Sequence, residues 1–239
     1  MAETTVQQED IIARLKLSGA WFAAMSELEE EATVAKLAAD EGVSVSDDEL
    51  QAEFDDFRRS VDLHKAEDTN AWLSDSGLTV DQVEASLEAG ILRAKLAEKL
   101  IDDAQIDAHY SQNPSAFDYA AISQLVVADA GAAGELVLSI REEGDDFADL
   151  VAKHSLAKSS THGFVGPISR DDAGGFAGDV ADRIFAAAAA EVIGPFEGPG
   201  GGHVIIRVEE VGRHELDDDL RAELREELFA AKIEELTNS

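Results

Sequence analysis

From Thr79 onward, apolar residues recur as Val83, Leu87, Ile91, Leu92, Leu96 and Leu100, the three- and four-residue spacing of one buried stripe on a long amphipathic helix. Residues 7 to about 112 keep this style and predict helices joined by short turns. Ser46-x-x-Glu49 and Thr79-x-x-Gln82 read as capping boxes, in which the hydroxyl and the side chain three residues on each satisfy an orphan backbone N–H. "TNAWLSDSG" predicts a short helix stopped by Gly77, with Trp72 directed into the helical core. The Asn-Pro of "YSQNPSAFD" (110–118) breaks the pattern, and a domain boundary is expected there.

The style then changes. "YAAISQLVV" (119–127) predicts a strand, and "AAGELVLSIREEG" and "DDFADLVAKHS" predict two helices, the first closed by Gly144. "GFVGPIS" reads as a short strand or irregular segment, "RDDAGGFAGD" as a Gly/Asp-rich loop and "VADRIFAAA" as a helix. "IGPFEGPGGG" reads as a turn into the strand "HVIIRVEEV". The order β-α-α-β-α-β argues a small α/β or α+β domain of about a hundred residues, with Phe147, Phe185 and Ile205 in its core. After Gly212 the helical period returns. Leu216, Leu220, Leu224 and Leu228 lie four apart, with Phe229, Ile233 and Leu236 on the same side, and Asp217 can pair with Arg221 one turn on. Such a stripe needs a cover, and the N-terminal helical domain is the expected one. The expected division is thus a helical domain over 1–112, a second domain over 113–212 and a closing helix over 213–239 that packs on the first.

Length and composition limit the partners. The 239 residues suffice for one large domain or two small ones, and at 45% apolar the chain is a folded protein. The 51 Asp and Glu against 19 Lys and Arg give a net charge of −32, which repels nucleic-acid phosphates and anionic lipid headgroups. DNA, RNA and membranes are therefore not expected partners; a basic partner suits the charge, and so does a salty cytoplasm. There is no cysteine, so disulfides, thiolate nucleophiles and Cys-based metal sites are excluded. "MAETTVQQED" has neither a basic nor an apolar region of a signal peptide, and a cytoplasmic protein is the expectation.

Candidate chemistry is sparse. "GPGGGHVIIRV" runs from loop into strand, whereas a phosphate-binding loop opens a helix and carries Lys and Ser or Thr, so that reading fails. His64, His109, His154, His162 and His214 are scattered without ligand spacing, and no metal is expected. The pairs Asp102–Asp103 and Asp171–Asp172 and the acids from Asp47 to Asp56 read as solvated. "SSTHG" holds serines and a histidine but no oriented base and no nucleophile elbow.

Taken together and in order, "YSQNPSAF", "ISQLVV", "GDDFADLVAKHS", "HGFVGPISR", "DRIFAAAAAEVIGP" and "HVIIRVEEV" resemble a parvulin-type (PpiC, rotamase) peptidyl-prolyl isomerase domain over residues 110–212. The N-terminal region, especially "FRRSVDLHKAEDTNAWLSDSGLTVDQVEASL", together with the closing helix, is similar to SurA-like chaperones and to signal-less parvulin-like proteins of bacterial peptide-maturation and export systems. The resemblance implies an α+β fold: a four-stranded antiparallel sheet with surrounding helices, plus an all-helical domain. It also implies a groove for an extended Xaa-Pro segment, with no cofactor.

Against the family pattern, Gln124 stands where a first-strand histidine is usual, and Leu156 or Ala157 where a Cys or Asp is expected. Ala173 falls at the groove Met, and Val180, or Phe176 across a loop insertion, at the groove Phe. His203 or Val204 falls at the second histidine. If Val204 holds that position, the period-2 alternation turns His203 away from the groove. The candidate catalytic residues are Gln124 and His203, and the candidate peptide contacts are Gln124, Phe164, Ala173, Phe176, Val180 and His203. The plainer alternatives are a Gln124 amide satisfied by backbone, a solvent-facing His203 and a Phe176 that plugs its loop. The expected function is binding of extended or proline-containing protein clients, a precursor peptide among them, as a chaperone or maturation factor with weak or absent isomerase activity. The alternatives are an active isomerase running on a reduced site and a scaffold recruited for another peptide modification.

Overall fold

The computed structural model of the chain describes residues 7–157, 161–176 and 179–238. Its contacts divide it into two compact units, one of residues 1–106 and 218–239 and one of residues 107–217. The division falls a few residues before the Asn113-Pro114 break, inside a helix.

The first unit is all-helical: α1 (Gln8–Ser18), α2 (Ala20–Glu41), α3 (Asp47–Ser60), α4 (Ala66–Ser76), α5 (Val80–Leu100), the start of α6 (Asp103–Gln112), and α11 (Asp218–Thr237) from the far end of the chain. Both capping boxes form at the predicted starts of α3 and α5. The stripe on α5 buries Val83, Leu92 and Leu96, and α5 packs on α2, where Val34 and Ala38 are buried, and on α11, where Leu224, Phe229 and Ile233 are buried. Polar ties fix the helix ends. The Lys95 ammonium donates to Glu49 at 2.6 Å and to the Ser44 carbonyl at 2.8 Å. The Arg225 guanidinium donates to Asp103 at 2.8 Å and to the Ile101 carbonyl at 3.3 Å. Hydrogen bonds from Lys95 and from the Ser46 N–H and hydroxyl hold the Glu49 carboxyl down at about 2. Two expectations change here. Trp72 is only half-buried, edge-on to Phe57 at 5.5 Å, and its neighbour Leu73 is the buried side chain. Leu236 is 44% exposed, and Ile233 is the last buried side chain of α11.

The second unit runs β1 (Asp118–Val127), α7 (Ala130–Leu138) with a π-turn over 139–143, α8 (Phe147–His154), β2 (Phe164–Ser169), α9 (Arg170–Ala173), α10 (Val180–Ala186), β3 (Val192–Glu197) and β4 (His203–Arg213). The strands form one antiparallel sheet in the order β2-β1-β4-β3, and the fold is α+β. One face carries α9 and α10, with Ala120, Ile122, Ile193, Val204, Ile206 and Val208 packed on Ala173, Val180, Ile184 and Phe185. The other carries α7 and α8, with Leu125, Val127, Val192 and Ile205 packed on Ala133, Val137, Phe147 and Leu150. Phe147, Phe185 and Ile205 are core, as expected.

Two corrections belong to this unit. Part of the Gly/Asp-rich loop is the one-turn helix α9, started by Ser169 in a capping box with Asp172. Ile193–Glu197, read from sequence as the start of a turn, belongs to the edge strand β3 (Val192–Glu197). Its alternation is interrupted at Gly194-Pro195, where the register to β4 shifts, so Ile193 and Phe196 share a face although they lie three apart. Gly194 has φ +117°, and a Cβ there would lie 2.8 Å from the Val204 carbonyl oxygen, so the shift requires glycine. The glycine cluster after it makes a short turn over Pro199–Gly201 that delivers the chain into β4.

Both tryptophans, Trp21 and Trp72, belong to the first unit, and both tyrosines, Tyr110 and Tyr119, to the second. Tryptophan fluorescence therefore follows the helical unit alone. Phe229 is fully buried on α11, and Phe229→Ala is expected to cost about 3–5 kcal/mol, measured as a lower denaturant midpoint of the tryptophan-detected transition. An unchanged midpoint would mean that α11 is not part of that core.

Candidate functional site

The central strands β1 and β4 decide which side chains reach the α9/α10 face. They pair antiparallel with Gln124 opposite Ile206, Val126 opposite Val204 and Val127 opposite His203. Cross-strand partners share a face. Ile122, Val126, Val204 and Ile206 all pack on the α9/α10 side, so Gln124 stands among them. Val127 and Ile205 belong to the opposite side, and His203 stands with them. The position facing the candidate groove is held by Val204, which is buried, and His203 is turned away from Gln124. A register shift near Glu209 then changes the parity of β4, so Val211 follows Val208 on the α9/α10 face.

The helices over this face are set by a charged joint. The Asp118 carboxylate at the start of β1 accepts from Arg213 at 2.8 Å and from Arg170 at 3.1 Å. The Arg170 guanidinium also lies over the Phe185 ring at 4.4 Å, which ties the start of α9 to α10. Burial alone would raise the Asp118 carboxyl, but the hydrogen bonds from Arg213 and Arg170 outweigh it and hold it below the ordinary carboxylate range. Asp172 is likewise lowered, by the Ser169 backbone N–H and hydroxyl at the start of α9.

So held, α9 and α10 bury Ala173 and Val180 completely enough to leave no surface there for a peptide. The side chains that line the open part of the face are half-buried: Gln124 and Val126 on β1, Phe176 after α9, and Phe196 on β3. Phe176 and Phe196 meet edge to face with centroids 5.5 Å apart. Val126 and Phe196 were missed by sequence reasoning. Period-2 counting from Gln124 reaches Val126, whereas the register shift hides Phe196.

The segment before β2 closes the outer end of β1. The Leu156 N–H donates to the Val126 carbonyl at 2.7 Å, the Gln124 N–H to the Gly163 carbonyl at 2.8 Å, and the Val126 N–H to the Ser155 hydroxyl at 3.3 Å. Gly163 has φ +89°, and a Cβ there would lie 2.5 Å from the Gln124 carbonyl oxygen, so only glycine lets this segment approach. Leu156, Ala157 and Val165 are exposed, and so is Phe164 at 45%; none of them packs on the α9/α10 face. Ser159 and Ser160, the serines of "SSTHG", and Ala177–Gly178 of the Gly/Asp-rich loop lie outside the described residues. The Gln124 side chain makes no hydrogen bond among the described residues, so its amide is available to a ligand. The structure thus places Gln124 and Phe176 on the same side of the sheet as the buried Ala173 and Val180, turns His203 to the other side and leaves Phe164 exposed. Among the described residues no group of three or more His, Asp or Glu could hold a metal ion, and no helix is long and apolar enough to cross a membrane.

Residues 101–214 match the model of the PPIC-type PPIASE domain, and the chain carries a parvulin-type rotamase domain. The foldase protein PrsA of Halalkalibacterium halodurans is similar at 27% identity over 177 residues, 70% of this chain and 52% of that one, so the chain spans about half the length of this relative. Among solved structures, the peptidylprolyl isomerase PrsA of Bacillus cereus aligns with 97% of this chain and 85% of its own, at 18% identity and a TM-score of 0.48. A SurA-like chaperone of Campylobacter jejuni aligns with 81% and 82%, at 18% identity and a TM-score of 0.38. The chain is thus similar to PrsA- and SurA-like foldases, in which helical segments flank the rotamase domain.

The charged joint sets a pH dependence. Asp118 is lowered in the fold relative to its ordinary 3.8, so its contribution is present above about pH 4 and is lost as the pH falls through the lowered value. Asp118→Asn is expected to destabilise the second unit at neutral pH by roughly 1–3 kcal/mol. It should also flatten the acid limb of its stability curve, followed by near-UV circular dichroism of Tyr110 and Tyr119. An acid limb as steep as that of the parent would show that the joint does not act through this carboxylate.

Proposed function

We propose that this protein binds extended, proline-containing segments of protein clients on the α9/α10 face of its rotamase domain and isomerises the proline bond weakly or not at all. The carrying observation is the placement of the polar groups. Val204 faces inward and His203 outward, so on the open part of the face Gln124 is the one polar side chain contributed by β1 and β4. Catalysis of this reaction means binding the twisted amide better than the planar one, against a barrier of about 18–20 kcal/mol. One neutral hydrogen bond contributes a net of about 1 kcal/mol, which is worth about five- to tenfold in rate. Binding asks less. Phe176, Phe196 and Val126 offer apolar contact, and the Gln124 amide can both donate to and accept from a peptide backbone.

The match to a rotamase family supports the second reading, an isomerase that retains activity on this reduced site. Two-dimensional NMR exchange on a short Xaa-Pro peptide separates the two. With a few per cent of protein, cis/trans exchange should accelerate by less than about tenfold, while peptide signals broaden as the protein approaches stoichiometry. Gln124→Ala should reduce both effects, and His203→Ala should change neither. Acceleration of a hundredfold or more, or its loss on His203→Ala, would overturn the binding reading.

A further inference from the structure

The glycine cluster at the entry to β4 folds against one end of the α9/α10 face. Counted across the strands, Val126 of β1, Val204 of β4 and Phe196 of β3 form one row on that face. Gln124, Ile206 and Ile193 form the next row, two residues and so about 7 Å along the strands. The turn over Pro199–Gly201 joins β3 to β4 just beyond the first row, closed by the Gly198 N–H donating to the Gly202 carbonyl at 2.7 Å. A Cβ at Gly198 would overlap the Val204 side chain, so glycine is what lets the turn approach that buried residue.

Gly202 is different. Its backbone is extended, with φ −82° and ψ 163°, a conformation that any residue adopts. A Cβ there would lie 3.3 Å from Cγ1 of Val126 and 3.5 Å from the Val127 carbonyl oxygen. A side chain at 202 would therefore rest on Val126; with glycine, Val126 is left half-buried. The surroundings are uncharged. Residues 198–202 carry no ionisable group, and Glu197 and His203, which flank the turn, pair with each other on the opposite side of the sheet.

We infer that Gly202 opens a subsite for a large apolar side chain of the client, such as Phe or Leu, carried two residues from its proline. The inference rests on the peptide-binding reading of the same face and adds a sequence requirement to it. In an extended client, side chains two residues apart point the same way and lie about 7 Å apart. That spacing matches the step from Gln124 to Val126. With the proline bond at Gln124, the second side chain takes the place on Val126 that a side chain at 202 would fill.

The test uses the full chain and fluorescein-labelled ten-residue peptides of Ser and Ala with one central proline. Phe is placed one or two residues before the proline, or one or two residues after it, and affinity is read by fluorescence anisotropy. Phe at one of the two-residue positions should tighten binding at least about fivefold over the host peptide, and Phe next to the proline less than about twofold. Gly202→Leu should bring the fivefold ratio to about one, because the protein then fills its own subsite. Val126→Thr, which makes the floor polar at nearly constant volume, should cut the ratio to less than half. Near-UV circular dichroism of Tyr110 and Tyr119 reports whether each variant keeps the second unit folded, and Val126→Thr carries the test if Gly202→Leu does not. Equal gain at all four positions, no gain at any, or a gain that survives both substitutions would overturn the inference while leaving peptide binding intact. Absence of binding by every peptide would overturn the peptide-binding reading, and the inference with it.

Discussion

The pairing of β1 with β4 fixes the side of the sheet on which every residue of the second unit stands. Because side chains alternate along a strand, one residue of slip would exchange the whole complement of the two faces. The register places Val126 opposite Val204 and Val127 opposite His203, and that alone puts an apolar residue on the α9/α10 face and a histidine on the other. Two further irregularities adjust the result, one near Glu209 on β4 and one at Gly194-Pro195 on β3. Each changes parity, and together they bring Val211 and Phe196 onto the face that Gln124 shares.

In a chain with 19 cations against 51 carboxylates, where the cations go is informative. Several of them sit at joints between elements. Arg170 and Arg213 converge on Asp118, Lys95 holds the start of α3 to α5, Arg225 holds α11 to the start of α6, and Arg93 lies over the Phe229 ring while facing Glu30 and Glu226. Apart from the joint at Asp118, whose carboxylate is largely buried, pairs as exposed as these contribute little apiece, and the buried apolar contacts supply most of the stability. Their effect is to fix the direction of helices whose apolar faces would tolerate several. Carboxylates outnumber the cations by 51 to 19, which keeps the surface anionic.

The α9/α10 face of the sheet is mostly closed, with Gln124 and Val126 on β1 and the edge-to-face pair Phe176–Phe196 on the β3 side half-buried. The last strand of this scaffold holds Val204 at its inward position and turns His203 outward.

Local pattern sufficed wherever the decision was local. The capping boxes at Ser46 and Thr79, the stripe of α5, the strand from Tyr119 and the turn at Gly77 depend on neighbours within one or two turns, and they are legible in the order of residues. The overlooked strand β3 depends on a partner, since Val192–Glu197 lacks alternation and becomes a strand only by pairing with β4 across a register shift. Trp72 and Leu236 each lie near a buried residue of their own helix, and how deep each sits is set by tertiary packing that the helical period does not specify. The same holds at the site. The sequence by itself determined that Gln124 lies in the first strand and that the last strand begins at His203-Val204. Which of those two residues looks at Gln124 was decided only by the tertiary register, because alternation tells that adjacent residues face opposite ways and not which way either one faces.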